Sequence, residues 1–207
     1  MSESQTRRVL IVGGGIAGGV LALDLAQRGV EVVLVELRKE MGGVGHGITL
    51  QGNALKAFHR VGVFDKLEER GFAFDKLRLR TVDGHVMAEI PAPPMGGAEV
   101  PPTMGAVRAD LADILAEAVV DAGVDVRLGS TVTAIEDHGD SVTATLSDGS
   151  TETVDLLVGA DGIRSKVRGM IGITDEPKPV GMGIWRTIAM PWAAIRRISA
   201  STCLVCS

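Results

Sequence analysis

Residues 8–19 read RVLIVGGGIAGG, and they decide the fold. Arg8 to Val12 is a short apolar strand, Gly13 to Gly15 a turn, and Ile16 onward a helix with Ile16, Val20, Leu23 and Ala26 at helical spacing. Gly29 stops that helix, and Val30 to Glu36 follows as a near-continuous apolar strand, the pattern of a parallel strand buried on both faces. The spacing Gly13-x-Gly15-x-x-Gly18 has a separate physical reason at each glycine. Gly13 permits the tight turn, Gly15 lets backbone approach a pyrophosphate, and Gly18 lets helix and strand pack closely. The Ile16 and Ala17 amides start the helix, where unpaired N–H groups and the dipole favour an anion. Glu36 ends the second strand, 18 residues after Gly18. A carboxylate there accepts hydrogen bonds from ribose hydroxyls and repels a 2′-phosphate. At ~4 Å and an effective dielectric of about 20 that repulsion is roughly 4 kcal/mol, which disfavours NADP and leaves FAD or NAD. A Gly-rich turn without a ligand is the plainer alternative.

Outward from this unit, the 207-residue chain carries 27 glycines at punctuation points and a net charge of -5. With no clustered Lys and Arg, nucleic acid is excluded as the main partner. The apolar run Val9 to Leu23 is 15 residues long and holds five glycines. It is shorter than the ~20 residues of a membrane-spanning helix, and a cytoplasmic protein with no membrane partner is expected. Cys203 and Cys206 stand near the end as an isolated pair, and the four histidines are scattered, so no metal site is assigned.

Gly42 to Gly52 reads as a glycine-rich loop. Asn53 reads as the cap of a helix with Leu55, Phe58 and Val61 on its apolar face and His59 on its wet side. A short helix, Asp65 to Arg70, ends at Gly71. Leu77, Leu79 and Thr81 then alternate with Arg78 and Arg80, Asp83-Gly84 signals a hairpin, and Val86, Ala88 and Ile90 return. Pro91 to Gly105 holds five of the eight prolines and reads as a connection. Asp110 to Ala122 is a helix with Leu111, Ile114, Leu115, Ala118 and Val119 on one face and Gly123 as its stop. Val124 to Leu128, Val132 to Ile135, Val142 to Leu146 and Thr151 to Val154 are strands. Leu156 to Val158 is read as a buried strand that delivers Asp161, and Gly181 to Ala189 as a further strand. The fold class is α/β: a Rossmann-like dinucleotide-binding domain opened by a βαβ unit and interrupted by strands of a second sheet.

Residues 155–168, DLLVGADGIRSKVR, add a second fingerprint: an apolar strand, then Gly159-Ala160-Asp161-Gly162, then Ser165 and Arg168. This resembles the Asp-Gly fingerprint of the FAD-dependent aromatic-ring hydroxylases, the single-component flavoprotein monooxygenases. A strand-turn-helix with Ser165 as a cap and Arg168 solvated is the plain reading of the same residues. Gly47-Ile48-Thr49-Leu50 with Asn53-Ala54 is similar to that family's loop and helix beside the flavin. Arg108 to Leu111 is similar to its Arg-x-x-Leu helix entry, and Trp185-Arg186 to the opening of its substrate-domain strands. The resemblance covers about residues 7 to 190.

It implies FAD as cofactor, held through Gly13, Gly15, Ile16, Ala17, Gly18, Glu36, Arg38, Gly47, Arg108, Asp161 and Gly162. Arg38 and Arg108 each also read as plain surface charges. It implies NADPH or NADH as co-substrate without its own Rossmann domain, and hydroxylation of a small aromatic or polyketide-like substrate with O2. No catalytic side chain is named, because the flavin carries the hard chemistry. The expected domains are 1–71 with 105–172 for FAD, 72–104 with 173–190 for partial substrate-domain strands, and an atypical tail at 191–207. The family's later Gly-Asp-Ala-Ala-His stretch is absent from these residues. A shortened chain with weak or no hydroxylation by itself is therefore expected. Two other activities fit the first fingerprint: a flavin-dependent reductase or dehydrogenase of the same fold, and an NAD-dependent dehydrogenase. A non-catalytic remnant that folds poorly is a third reading.

Overall fold

The computed structural model describes residues 8–43, 45–181 and 183. Two compact units emerge, residues 1–42 with 112–178 and residues 43–111 with 179–207, considered over the described residues. The proposed strand Gly181 to Ala189, Trp185-Arg186, the 191–207 tail and the cysteine pair lie wholly or mainly outside those residues.

The first unit is built on a parallel sheet of β1 (Arg8–Val12), β2 (Glu31–Glu36), β8 (Asp125–Leu128) and β12 (Leu156–Gly159), in the order β12-β1-β2-β8. Helix α1 (Ile16–Ala26) crosses from β1 to β2 and packs on both. The α/β, Rossmann-like expectation holds. Pleating sends Leu10, Val12, Val33 and Val35 to one face, where they join Val132, Ala144, Leu146, Val154 and Val167 in one buried cluster. That face is covered by the antiparallel meander β9 (Val132–Asp137), β10 (Val142–Leu146) and β11 (Thr151–Val154), so the link from β8 to β12 is three strands rather than a helix.

Glu152 of β11 sits between two arginines. Its carboxylate lies 2.9 Å from Arg8 Nη2 of β1 and 2.6 Å from Arg127 Nη1 of β8. Arg8 also pairs with Glu31 of β2 at 2.8 Å. The network ties three parallel strands to the meander.

The second unit contains β3 (Gly47–Gln51), α2 (Gly52–Arg60), α3 (Phe64–Glu68), β4 (Phe72–Phe74), the hairpin β5 (Lys76–Arg80) and β6 (Val86–Pro91), and β7 (Thr103–Val107). The hairpin stands as its own two-stranded sheet, with Leu77 opposite Ile90 and Leu79 opposite Ala88. Helix α4 (Arg108–Asp121) carries the boundary between the units, and Gly123 follows it at φ +75°.

Four readings are corrected. Gly42 to Gly52 is not all loop, because β3 pairs antiparallel with β7, Gly47 facing Val107 and Gln51 facing Thr103. The connection after Pro91 likewise ends in β7, which also pairs with β4. Asn53 is not a cap: α2 begins at Gly52 with Gln51 in the cap position, and no side chain caps it. Leu55, Phe58 and Val61 are buried, and His59 is exposed, as the periodicity predicts. Last, β12 is an edge strand of the described sheet, and Leu156 is 47% exposed. Among the described residues no helix is long and apolar enough to cross a membrane.

Candidate dinucleotide site at the ends of β1, β2 and β12

The two fingerprints meet at the C-terminal ends of adjacent parallel strands. Val12 faces Gly159 in register, and Ala160 N–H donates to the Val12 carbonyl at 2.8 Å. On the other side Gly13 N–H donates to the Val35 carbonyl at 2.8 Å. Gly13, Gly15, Ile16, Ala17, Gly18, Glu36, Arg38, Asp161 and Gly162 all belong to the first unit.

The three motif glycines do different work. Gly13 sits at φ +108°, and a Cβ there would lie 2.5 Å from the Ala160 carbonyl oxygen. A Cβ on Gly18 would lie 1.9 Å from the Gly13 carbonyl oxygen and 3.4 Å from Ala160 Cβ. Both are glycine because the fold is crowded there. Gly15 is the exception: it has no left-handed φ, and nothing lies within 4 Å of where its Cβ would stand. It is also the N-cap of α1, which has neither a side-chain cap nor an acidic residue in its first turn. The start of α1 therefore presents backbone donors, with the dipole's positive end, beside an open backbone position. That combination suits a bound phosphate, and no internal packing accounts for the glycine.

Glu36 faces the same turn. Its Oε2 accepts from Gly14 N–H at 2.7 Å, and its Oε1 accepts from Arg38 N–H at 2.9 Å. The Arg38 guanidinium turns the other way, donating to the Gly42 carbonyl at 3.3 Å and lying 4.0 Å from Glu40. Arg38 thus meets the acidic end of β2 through its backbone, while its side chain closes its own loop. Gly14 is the residue that the spacing argument missed; it occupies a free position of the motif, and only the folded contact marks it out.

Asp161 turns its carboxylate onto α5 (Lys166–Met170), where Oδ2 accepts from Lys166 N–H at 2.7 Å and Val167 N–H at 3.1 Å. Ser165 caps the same helix, accepting from Arg168 N–H at 3.0 Å. Arg168 Nη1 reaches back to the Ile163 carbonyl at 3.3 Å. Asp161 therefore shapes the loop between β12 and α5. Gly162 turns that loop at φ +77° with open space beside it.

Burial opposes charge on Asp161, but the Ser165 hydroxyl and the amides of Val167 and Lys166 outweigh it and hold the carboxyl below its usual range. A depressed folded-state value contributes stability that is present above the unfolded pKa, ~3.9, and lost as the pH falls through the folded value. Asp161→Asn should therefore lower the melting temperature at pH 7, with the gap from the unaltered protein closing as the pH drops below about 4. A gap of equal size at pH 7 and pH 3 would contradict this role.

Gly47 and Arg108 are brought together in the second unit. Gly47 opens β3 opposite Val107, and Arg108 N–H donates to the His46 carbonyl at 2.8 Å. Gly43 and Gly45 allow this approach: a Cβ on Gly43 would fall 2.2 Å from Ala109 Cα, and one on Gly45 would fall 3.3 Å from Arg108 Cδ.

The family model described as "FAD binding domain" matches residues 6–200. The 2-heptyl-3-hydroxy-4(1H)-quinolone synthase of Pseudomonas aeruginosa is 34% identical over 87% of this chain and 46% of its own length. The 3-hydroxybenzoate 6-hydroxylase 1 of Aquipseudomonas alcaligenes is 35% identical over 87% of this chain and 46% of its own length. Among solved structures, the tetrameric form of 2-methyl-3-hydroxypyridine-5-carboxylic acid oxygenase superposes with a TM-score of 0.70 at 30% identity, covering 82% of this chain and 43% of that one. The chain spans about half the length of the curated relatives it matches.

Proposed function

The chain belongs to the FAD binding domain family, and from that premise we propose that it is the FAD-holding portion of a flavoprotein monooxygenase that hydroxylates a small aromatic substrate with NAD(P)H and O2. The observation that carries this is Gly15, a glycine with open space beside it at the uncapped start of α1. The Gly15, Ile16 and Ala17 amides would hold the pyrophosphate, and Glu36 would take the adenosine ribose. Gly162 would bring backbone close to the same cofactor, with Asp161 fixing its loop. Gly47 and Arg108 are assigned to FAD as well, on their resemblance to the family's positions.

When bound, FAD would supply the redox chemistry between NAD(P)H and oxygen. The contribution of the chain is to bind, orient and keep water out, which is why no nucleophile or acid-base pair is required of it. The β5–β6 hairpin exposes Leu79 (45%) and Ile90 (49%), and we assign it to the substrate-binding sheet. Residues 1–71 with 105–172 are assigned to the FAD domain on the same reading. A cytoplasmic setting belongs to this proposal too, since NAD(P)H is a cytoplasmic metabolite.

The test is a visible spectrum of the purified protein, followed by NAD(P)H oxidation and product formation with and without oxygen. Flavin absorption with weak or no hydroxylation is expected of this chain by itself, and any hydroxylated aromatic product should form only in the presence of O2. Product formed equally well without oxygen would replace the monooxygenase with a reductase. A colourless protein carrying a nicotinamide nucleotide would replace both with an NAD-dependent dehydrogenase.

A further inference from the structure

We infer that Gly14 is a positioning residue for the ribose-binding carboxylate. Its peptide N–H fixes the Glu36 side chain, and its missing Cβ leaves the room that side chain needs. The consequence for ligand choice rests on the FAD reading above; the contact itself does not.

The geometry is a clamp with two jaws. Gly14 N–H donates to one carboxylate oxygen of Glu36 and Arg38 N–H to the other, at 2.7 and 2.9 Å. One jaw is the turn after β1, the other Arg38, two residues past the end of β2. With one backbone donor on each oxygen, the plane of the carboxylate is set from both ends. A free glutamate side chain has several rotamers, and fixing them at the moment of binding costs affinity; here that ordering precedes the ligand. An ionised carboxylate offers about four lone-pair sites. The clamp uses two of them and leaves two, which matches the two O–H donors of a ribose cis-diol.

Space rather than backbone conformation explains the glycine. Gly14 is not among the residues at positive φ. A Cβ on it would lie 3.2 Å from Glu36 Cβ, 3.4 Å from Glu36 Cγ and 3.3 Å from Leu34 Cδ2. These contacts are with the side chain that is being aimed and with its neighbour on β2. Gly13 and Gly18 by contrast are crowded by backbone, and Gly15 by nothing. Alanine at position 14 should therefore leave the fold in place and displace Glu36 by a few tenths of an ångström.

The test has two arms. In the cofactor-free protein, Glu36→Gln should move the Gly14 and Arg38 amide proton resonances, because a neutral side chain replaces the carboxylate to which both donate. A Gly14 amide left unmoved by Glu36→Gln overturns the clamp. In the second arm, dissociation constants are measured for FAD and for its analogue lacking the 2′-hydroxyl of the adenosine ribose. The unaltered protein should prefer FAD by about tenfold, the worth of one hydrogen bond to a charged acceptor. In Gly14→Ala that preference should fall toward one. Equal weakening of both ligands would make Gly14 a structural glycine only and overturn the inference. If the amide moves in Glu36→Gln as stated and FAD does not bind at all, the clamp stands and the FAD reading fails.

Discussion

Replacing Gly18 by alanine is expected to destabilise the first unit by about 3 kcal/mol or more and to abolish FAD binding with it. The added Cβ would stand 1.9 Å from the Gly13 carbonyl oxygen, a backbone atom with little freedom to retreat. That carbonyl belongs to the turn whose amide is bonded to Val35, and Ala160 of the second fingerprint packs behind it. Relief would require α1 to lift away from the ends of β1 and β12. The helix packs on β1 and β2 and buries Ala22 and Leu23, so lifting it opens the apolar layer beneath. Overpacking typically costs 1–3 kcal/mol, and a backbone clash belongs at or above the top of that range. Chemical denaturation followed by circular dichroism measures it. A Gly18→Ala protein as stable as the unaltered one would show that helix and turn are not held as described.

Gly15→Ala should give the opposite result: an intact fold with FAD affinity reduced about 100-fold or more. No atom lies within 4 Å of the added Cβ, and the Gly15 backbone is extended, with φ −73° and ψ −173°, which alanine adopts freely. A few tenths of a kcal/mol is the expected change in stability, of either sign. The methyl group would instead occupy the space a pyrophosphate needs to reach the amides at the start of α1. Losing close contact at two charge-assisted hydrogen bonds, each worth roughly 1.5–3 kcal/mol, corresponds to 100-fold or more in dissociation constant. Equal melting curves and a flavin titration that separates the two proteins are the result to look for. Gly15→Ala binding FAD as tightly as the unaltered chain would remove the phosphate from this turn.

The opening βαβ unit was legible in the sequence because its signals are local. The apolar runs, the glycine spacing, the stop at Gly29 and the acid at position 36 all fall within one stretch, and each has its own physical reason. The β5–β6 hairpin was legible through alternation and its Asp83-Gly84 turn, and the three strands of the meander were legible as strands. The sheet of β3, β7 and β4 was not. Its strands are short, two of them carry glycine, and Gly47 pairs with Val107 across a long stretch of chain. No local period encodes such a pairing. The burial of β12 was overestimated for a related reason: the run Leu156 to Val158 is apolar, but only the sheet order reveals that one edge has no neighbour among the described residues. At the site, residue types were readable and side-chain direction was not. Sequence pointed to Glu36 and Asp161; the fold shows Glu36 clamped between two backbone amides and Asp161 turned onto α5.

On the function proposed above, the dinucleotide's pyrophosphate rests on the amides around Gly15. Two-dimensional 15N–1H spectra of the protein, recorded while FAD is added, test this residue by residue. The resonances of Gly15, Ile16 and Ala17 should move first and furthest, with Gly14 and Gly162 following, to a saturable end point. Saturable binding of FAD that leaves those three amides unmoved would contradict it.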